Sequence, residues 1–444
     1  MTKGVFRISL VRNTSRALGL SLGLSMTVIG GVLVGLASAE NWKLALLVFG
    51  AGVLFVIYYV KPYWGYLFTV GAAMLTHYRF GTSIGHWRLE QVAGILALVS
   101  LWKLRSRGAG LWFDTVTGAG VLWIVINGLA SVFAPQVFES EKIVAWLATD
   151  LLVLVFTRAI IQRYGMAAAF LPLWVAGLCA IVWGIAFAQL HPGLYGGRAM
   201  LPMEEPDVFG TFAAVIAIYS LFIVRPGTVA RVPAKYGYVG MGVGIAGLLL
   251  SGTRSSLVGF LIAVLVAVVM EQQWRQRLWR SVWIIIGAGV LLLMFVKSSA
   301  TSRLGRFSSS NNLAYRLVRV RRALSGIVNS WHHLLLGHGT NAYGQFHLTI
   351  LNGVIVPDYL SAQLFTVPYD TGLIGTVAFI GFVSFVLRRN AVYRRNTLLA
   401  RASLYALIAM FVAYQATNGI WFGYTWIVLG LALGPLASTD SETL

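Results

Sequence analysis

Charge is what this sequence has least of. Asp, Glu, Lys and Arg together make up 11% of its 444 residues, where a soluble domain carries about 25%, so the chain cannot clothe a water-facing surface of ordinary size. Acidic residues are scarcest, with 14 Asp and Glu against 34 Lys and Arg. The single cysteine, Cys179, lies inside an apolar run, which excludes a disulfide framework, a CxxC pair and a cysteine zinc site. The chain also lacks HExxH, Asp-x-Asp and a lysine after its glycine-rich stretches. The short signatures of metal-dependent hydrolysis and of phosphate-cradling P-loops are therefore missing, and no metal or cofactor is expected.

What the chain has is apolar residues, 58% of the total, and a mean hydropathy of +0.77. Length alone suggests about three soluble domains of roughly 150 residues, but the apolar runs leave no room for them. The expectation is one membrane domain over 1–444, an all-α polytopic fold. A crossing helix needs about 20 apolar residues. Runs that qualify lie at 17–38, 44–60, 63–78, 90–103, 116–135, 142–160, 166–189, 208–224, 236–252, 254–270, 281–297, 366–387, 399–416 and 420–437. The pair 236–252 and 254–270 must form a hairpin, because only Ser251-Gly252-Thr253-Arg254 joins them. One hydrophilic segment, 298–365, is long enough to carry short helices of its own.

The formal charge of +20 would point to nucleic acid in a soluble protein. Here the basic residues sort by side. With alternating crossings, 21 Lys and Arg fall in short connections on one side and six on the other, the positive-inside pattern. Both termini are therefore expected in the cytoplasm, with anionic lipid as the charge partner. The first apolar run, followed by Ala37-Ser38-Ala39, has a signal-peptide look, but its length favours an uncleaved first span.

Three outward-facing features carry chemistry. Arg198 lies in a glycine-rich connection from His191 that continues to Glu204, Glu205 and Asp207. A guanidinium stays charged and its planar fork matches phosphate oxygens; pairing with Glu204 or Glu205 at the interface is the bland alternative. Arg254 stands in Leu250-Ser-Gly-Thr-Arg-Ser-Ser256 at a helix start, where unpaired N–H groups favour an anion; snorkelling to lipid head groups is the alternative. The segment 298–365 adds Arg303, Arg306, Arg316, Arg319, Arg321 and Arg322. The run from Tyr315 to Arg322 would place several of these arginines on one helical face that suits either a diphosphate or anionic head groups. His338, between Gly337 and Gly339, is the residue type that serves as a general base near neutral pH, or simply a hydrogen-bonded loop histidine. His332 and His333 are adjacent and do not make the i, i+4 pair of a helical metal site.

Three segments resemble the O-antigen ligase and polymerase (Wzy-type) superfamily of bacterial membrane glycosyltransferases. They are Gly197-Arg198 with Glu205-Pro206-Asp207-Val208-Phe209-Gly210; Ser251-Gly-Thr-Arg254-Ser-Ser; and Leu336-Gly-His-Gly-Thr-Asn-Ala-Tyr343 leading to Tyr369-Asp370-Thr371-Gly372-Leu-Ile-Gly375. The likeness spans roughly residues 195–385. It implies a GT-C-type fold in the bacterial inner membrane with a periplasmic active face, and metal-independent, inverting transfer from an undecaprenyl-diphosphate-linked oligosaccharide. Arg198, Arg254, Arg316 and Arg319 would hold the diphosphate, and His338, Glu205 or Asp207, or else Asp358, would serve as base. The family's ligases carry a His-Asn pair where this chain has Ser361-Ala362, which favours glycan polymerisation, with a chain-length regulator as a further partner, over ligation to lipid A-core. A transporter of an anion or lipid-linked sugar stays open as a different class; it would call for symmetric halves and broken helices at the midplane.

Overall fold

The computed structural model describes residues 42–75, 79–82, 85–105, 114–202, 205–224, 232–271, 287, 310–351, 354–360, 362–394, 397–417 and 419–436. The predicted span 17–38, all of 281–297 except residue 287, and Glu204, Arg303 and Arg306 lie outside the described residues. The chain forms two units, Met1–Gly65 and Tyr66–Leu444. In the first, α1 (Trp42–Val60) turns into the start of α2 (Pro62–Met74). Gly65 makes the turn close, since a Cβ there would stand 2.7 Å from the Tyr58 ring.

The second unit holds α3 (Leu89–Arg105), α4 (Thr115–Ser131), α5 (Val137–Tyr164), α6 (Met166–Leu190), α7 (Pro206–Ile223), α8 (Ala234–Ser251), α9 (Arg254–Met270), α10 (Ser310–Val328), α11 (Trp331–Leu336), α12 (Tyr343–Phe346), α13 (Gln363–Tyr393), α14 (Leu398–Ala413) and α15 (Gly423–Leu433). Each predicted span within the described residues coincides with one of these helices or with α1 or α2. By length and composition α5, α6, α7 and α13 suffice to cross a membrane. The all-helical expectation needs one correction. Two antiparallel hairpins occupy connections, β1 (Arg79–Thr82) with β2 (Gly85–Arg88), and β3 (Leu348–Leu351) with β4 (Val354–Pro357). Short alternating segments between helices can satisfy their backbone groups only by pairing with each other. The segment 298–365 likewise contains a helix longer than the short ones expected, the 19-residue α10.

The core sits around α7, which is buried along almost its whole length. Its close neighbour α8 offers small residues to it: a Cβ at Gly244 would come within 2.8 Å of the Ala217 backbone, and one at Gly240 within 2.5 Å of Ser220 Oγ. Small residues let helices approach where lipid supplies no hydrophobic drive between them. Two basic residues that the sequence counted toward orientation are built into the interior. Arg158 is fully buried, donating to Asp114 Oδ2 at 2.5 Å and to the carbonyls of Gly434 and Pro435 at 3.2 and 3.1 Å. Arg88 pairs with Glu90 at 3.1 Å and lies 3.6 Å over the Trp146 ring. These charges are paired and hydrogen-bonded, as buried charges must be.

Candidate functional site

The site begins at the N-terminus of α7. Glu205 is its N-cap residue, Pro206 opens the first turn and Asp207 lies within that turn; proline's fixed φ and missing N–H suit that position. The connection from α6 runs back over this helix end, and Ala199 N–H donates to Leu250 O at 2.9 Å. That bond brings the connection against the tip between α8 and α9.

Arg198 is the joint of the assembly. It is buried, and it donates through Nε to Ser251 O at 2.5 Å and through Nη2 to Asp207 Oδ1 at 2.8 Å and Thr253 Oγ1 at 3.1 Å. The Thr253 hydroxyl also reaches Pro206 O at 3.0 Å. One turn along, Thr211 Oγ1 and Ser256 Oγ lie 2.9 Å apart. The carboxylate that Arg198 uses is therefore Asp207, not Glu205. Arg254, half-buried, opens α9 directly after Thr253, so Arg198 bonds to the residue that precedes it. Glu205 keeps solvent contact on one side. Even so, desolvation by surrounding atoms and the charge of Asp207 push its carboxyl above the ordinary carboxylate range, with Arg198 opposing.

Amphipathic α10 supplies a second basic surface. Arg316 is half-buried; desolvation lowers its pKa, and Asp207 is the charge that opposes the shift. The α7 terminus and α10 thus share one electrostatic neighbourhood. Three residues along, Arg319 is spoken for differently. It is ion-paired with the buried Asp358 Oδ1, and its guanidinium lies 4.2 Å from the Tyr315 ring centroid. Asp358 Oδ1 also takes the Tyr359 N–H at 3.0 Å and faces the Tyr315 hydroxyl at 3.4 Å. The sequence offered Asp358 only as an alternative base; its partnership with Arg319 spans 39 residues, and no local pattern reports it.

His338 stands apart from the arginines, in a stack of rings. Its imidazole lies parallel to Tyr369 with centroids 4.3 Å apart, and His333 covers the other face at 4.0 Å. Burial lowers its pKa to about 4, with the neighbouring His333 adding to the shift. It is neutral near neutral pH and held in place, with Nδ1 3.4 Å from Tyr369 O. The glycine-rich loop around it is tied to α13: His338 N–H donates to Tyr369 O, Gly339 N–H to Asp370 O and Asn341 N–H to Asp370 Oδ2, each at 2.9 Å. Asp370 was quoted for its motif and given no role; it is the residue that pins this loop. At Gly372 the helix kinks (φ 62°, ψ −162°), and a Cβ there would stand 2.4 Å from the Leu335 carbonyl.

The structure therefore brings Arg198, Asp207, Glu205 and Arg316 into one neighbourhood and sets Arg254 at its edge. It places Arg319 on Asp358 and His338 in the neighbouring stack. Cationic groups gathered at a helix N-terminus, in a partly desolvated setting, are equipped to hold a polyanion. Among the described residues there is no cluster of three or more His, Cys, Asp or Glu that could hold a metal ion.

No curated protein matches the chain. Residues 239–380 match the family described as O-Antigen ligase, a stretch that holds Arg254, Arg316, Arg319 and His338 while Arg198, Glu205 and Asp207 precede it. Over these residues, from within α8 to within α13, the chain is similar to that family, about a third of its length.

Proposed function

We propose that this chain is a GT-C-type glycosyltransferase of the bacterial inner membrane. It takes a glycan from an undecaprenyl-diphosphate donor at the periplasmic face and joins it to a second lipid-linked glycan, as a polymerase. The observation that carries this reading is the meeting of Arg198 and Thr253 on Asp207, with Arg254 the next residue along and Arg316 within reach of the Asp207 charge, from three stretches far apart in sequence.

In the reaction, an acceptor hydroxyl oxygen bonds to the anomeric carbon as the bond from that carbon to the diphosphate oxygen breaks, with inversion. The lipid diphosphate leaves with the electron pair, and the hydroxyl proton passes to a carboxylate. Cations already aimed at the departing charge lower the barrier because they need no reorganisation as it develops. Arg254 and Arg316 hold the diphosphate, Arg198 contributes its field while anchored to Asp207, and Arg319 supports α10 through Asp358. Glu205 is the base that the geometry favours: it is accessible, lies among these charges, and its raised pKa improves it as a proton acceptor. His338, neutral but enclosed, is the second candidate. The match to a family described as O-antigen ligase favours transfer to lipid A-core as the second reading of the acceptor.

The test is purified protein in vesicles, supplied with lipid-linked repeat units alone and then with lipid A-core. Longer lipid-linked chains in the first reaction support polymerisation; product only in the second supports ligation; product in neither overturns the transferase. Arg254→Ala should lower turnover by about 100-fold or more, in the range for removing one charge-stabilising donor, with the protein folded and inserted. Undiminished turnover in that variant removes the arginine cradle.

A further inference from the structure

Helix α10 divides its arginines between two surfaces. Arg316 and Arg319 are half-buried and lie on the side with buried Ala323 and Ile327. That side packs on α13, where a Cβ at Gly326 would stand 3.0 Å from the Tyr369 ring. Arg321 and Arg322 are exposed. Beside Arg321 runs a stripe that nothing in the described fold covers: Leu317, Leu324 and Val328 are 59%, 45% and 70% exposed. Their i, i+7, i+11 spacing confines them to a sector of about 40°. The stripe continues past the end of α10 into Trp331, 76% exposed. The next residue, His332, has its ring 5.5 Å from that of half-exposed Phe133, in the turn that follows apolar α4.

We propose that the outer face of α10 lies on the bilayer surface, with Leu317, Leu324 and Val328 at the boundary of the acyl chains and Arg321 at its edge on anionic phospholipid head groups. Two observations favour lipid over a protein partner. The stripe is narrow and edged by exposed Arg321, whose charge complements the anionic head groups that line a membrane surface. Past the end of α10 it is followed by exposed Trp331 and by the exposed Phe133 in the turn after apolar α4. A consequence follows that rests on the transferase reading. Because Arg316 and Arg319 share this rigid helix, seating its outer face on lipid sets their height against the head groups, the depth at which a lipid-linked diphosphate lies.

The experiment uses the full chain with its single cysteine, Cys179, replaced by serine. Leu324→Cys, Val328→Cys and, on the water-facing flank, Ser325→Cys each carry an environment-sensitive fluorophore. The labelled proteins are placed in nanodiscs of phosphatidylethanolamine with or without phosphatidylglycerol. Lipid-borne nitroxide is expected to quench the labels at 324 and 328 several-fold more than the label at 325, and aqueous iodide the reverse. Phosphatidylglycerol should deepen the lipid quenching, and Arg321→Gln should remove that increment, while Arg322→Gln, on the other side of the helix, should leave it. Equal iodide access at 324, 328 and 325 overturns the proposal by leaving the stripe in water. Shielding of 324 and 328 from both quenchers, with cross-linking between copies, overturns it in favour of a protein interface. Sugar transfer is not read, so lipid seating in an inactive protein would support this inference while the transferase reading fails.

Discussion

Arg198 shows how a residue singled out for charge turns out to be structural as well. Its Nε and Nη2 bind three elements together, so Arg198→Ala would strip a buried ion pair of one partner, a change that costs several kcal/mol in its own right. Arg254 is the cleaner probe of the cradle for that reason. His338 offers a prediction at the same scale. Its folded pKa of about 4 lies below the ordinary value of 6.5, so the unfolded chain binds the extra proton between these values. Stability is then complete above pH 6.5 and is lost as pH falls toward 4, by up to about 3 kcal/mol. Melting temperatures against pH for wild type and His338→Phe, whose ring can still stack on Tyr369, should run close together at neutral pH and separate toward pH 4, the wild type losing stability with a slope steeper by one proton. Parallel curves would mean that His338 does not carry the shift. The arginines and glycines of this site were legible from residue type and spacing. The partners were not, because Asp207 beside Arg198 and Asp358 beside Arg319 are chosen by approach of distant segments.

At the scale of elements, the kink in α13 and the glycine-rich loop form one unit. The backbone at Gly372 adopts a conformation that is essentially restricted to glycine, worth about 1–3 kcal/mol of strain for another residue, and the Leu335 carbonyl leaves no space for a Cβ. Gly372→Ala should therefore lower the thermal midpoint of the purified protein and loosen the loop around His338, read as faster proteolysis near residue 340. An unchanged midpoint would show that the kink is not needed. Helix positions could be read from the chain because each apolar run must satisfy its own backbone hydrogen bonds. The hairpins and the length of α10 could not, since an amphipathic stretch outside the apolar runs becomes a helix only by packing one face, here Ala323 and Ile327, against α13.

For the whole molecule, the sorting of Lys and Arg predicts its orientation. Reporter fusions after residues 235, 280 and 395 should report the cytoplasm, and fusions after 198, 254 and 340 the periplasm; the reverse pattern would invert the active face proposed above. That prediction draws on the charges of short connections and does not depend on Arg88 and Arg158, which are buried in pairs, because orientation is decided by the bulk of the bias. By itself the sequence determined a helical fold of apolar, membrane-protein character, approximately where its helices lie, and the three segments it offers as candidates for chemistry. Hydropathy, capping and charge bias are properties of consecutive residues, so the chain carries them openly. Only the tertiary structure decided which arginine meets which carboxylate, that α10 turns Arg316 inward and Arg321 outward, and that His338 is enclosed. Those outcomes depend on distances between segments that are remote in sequence, set by how helices pack, and no local pattern encodes them.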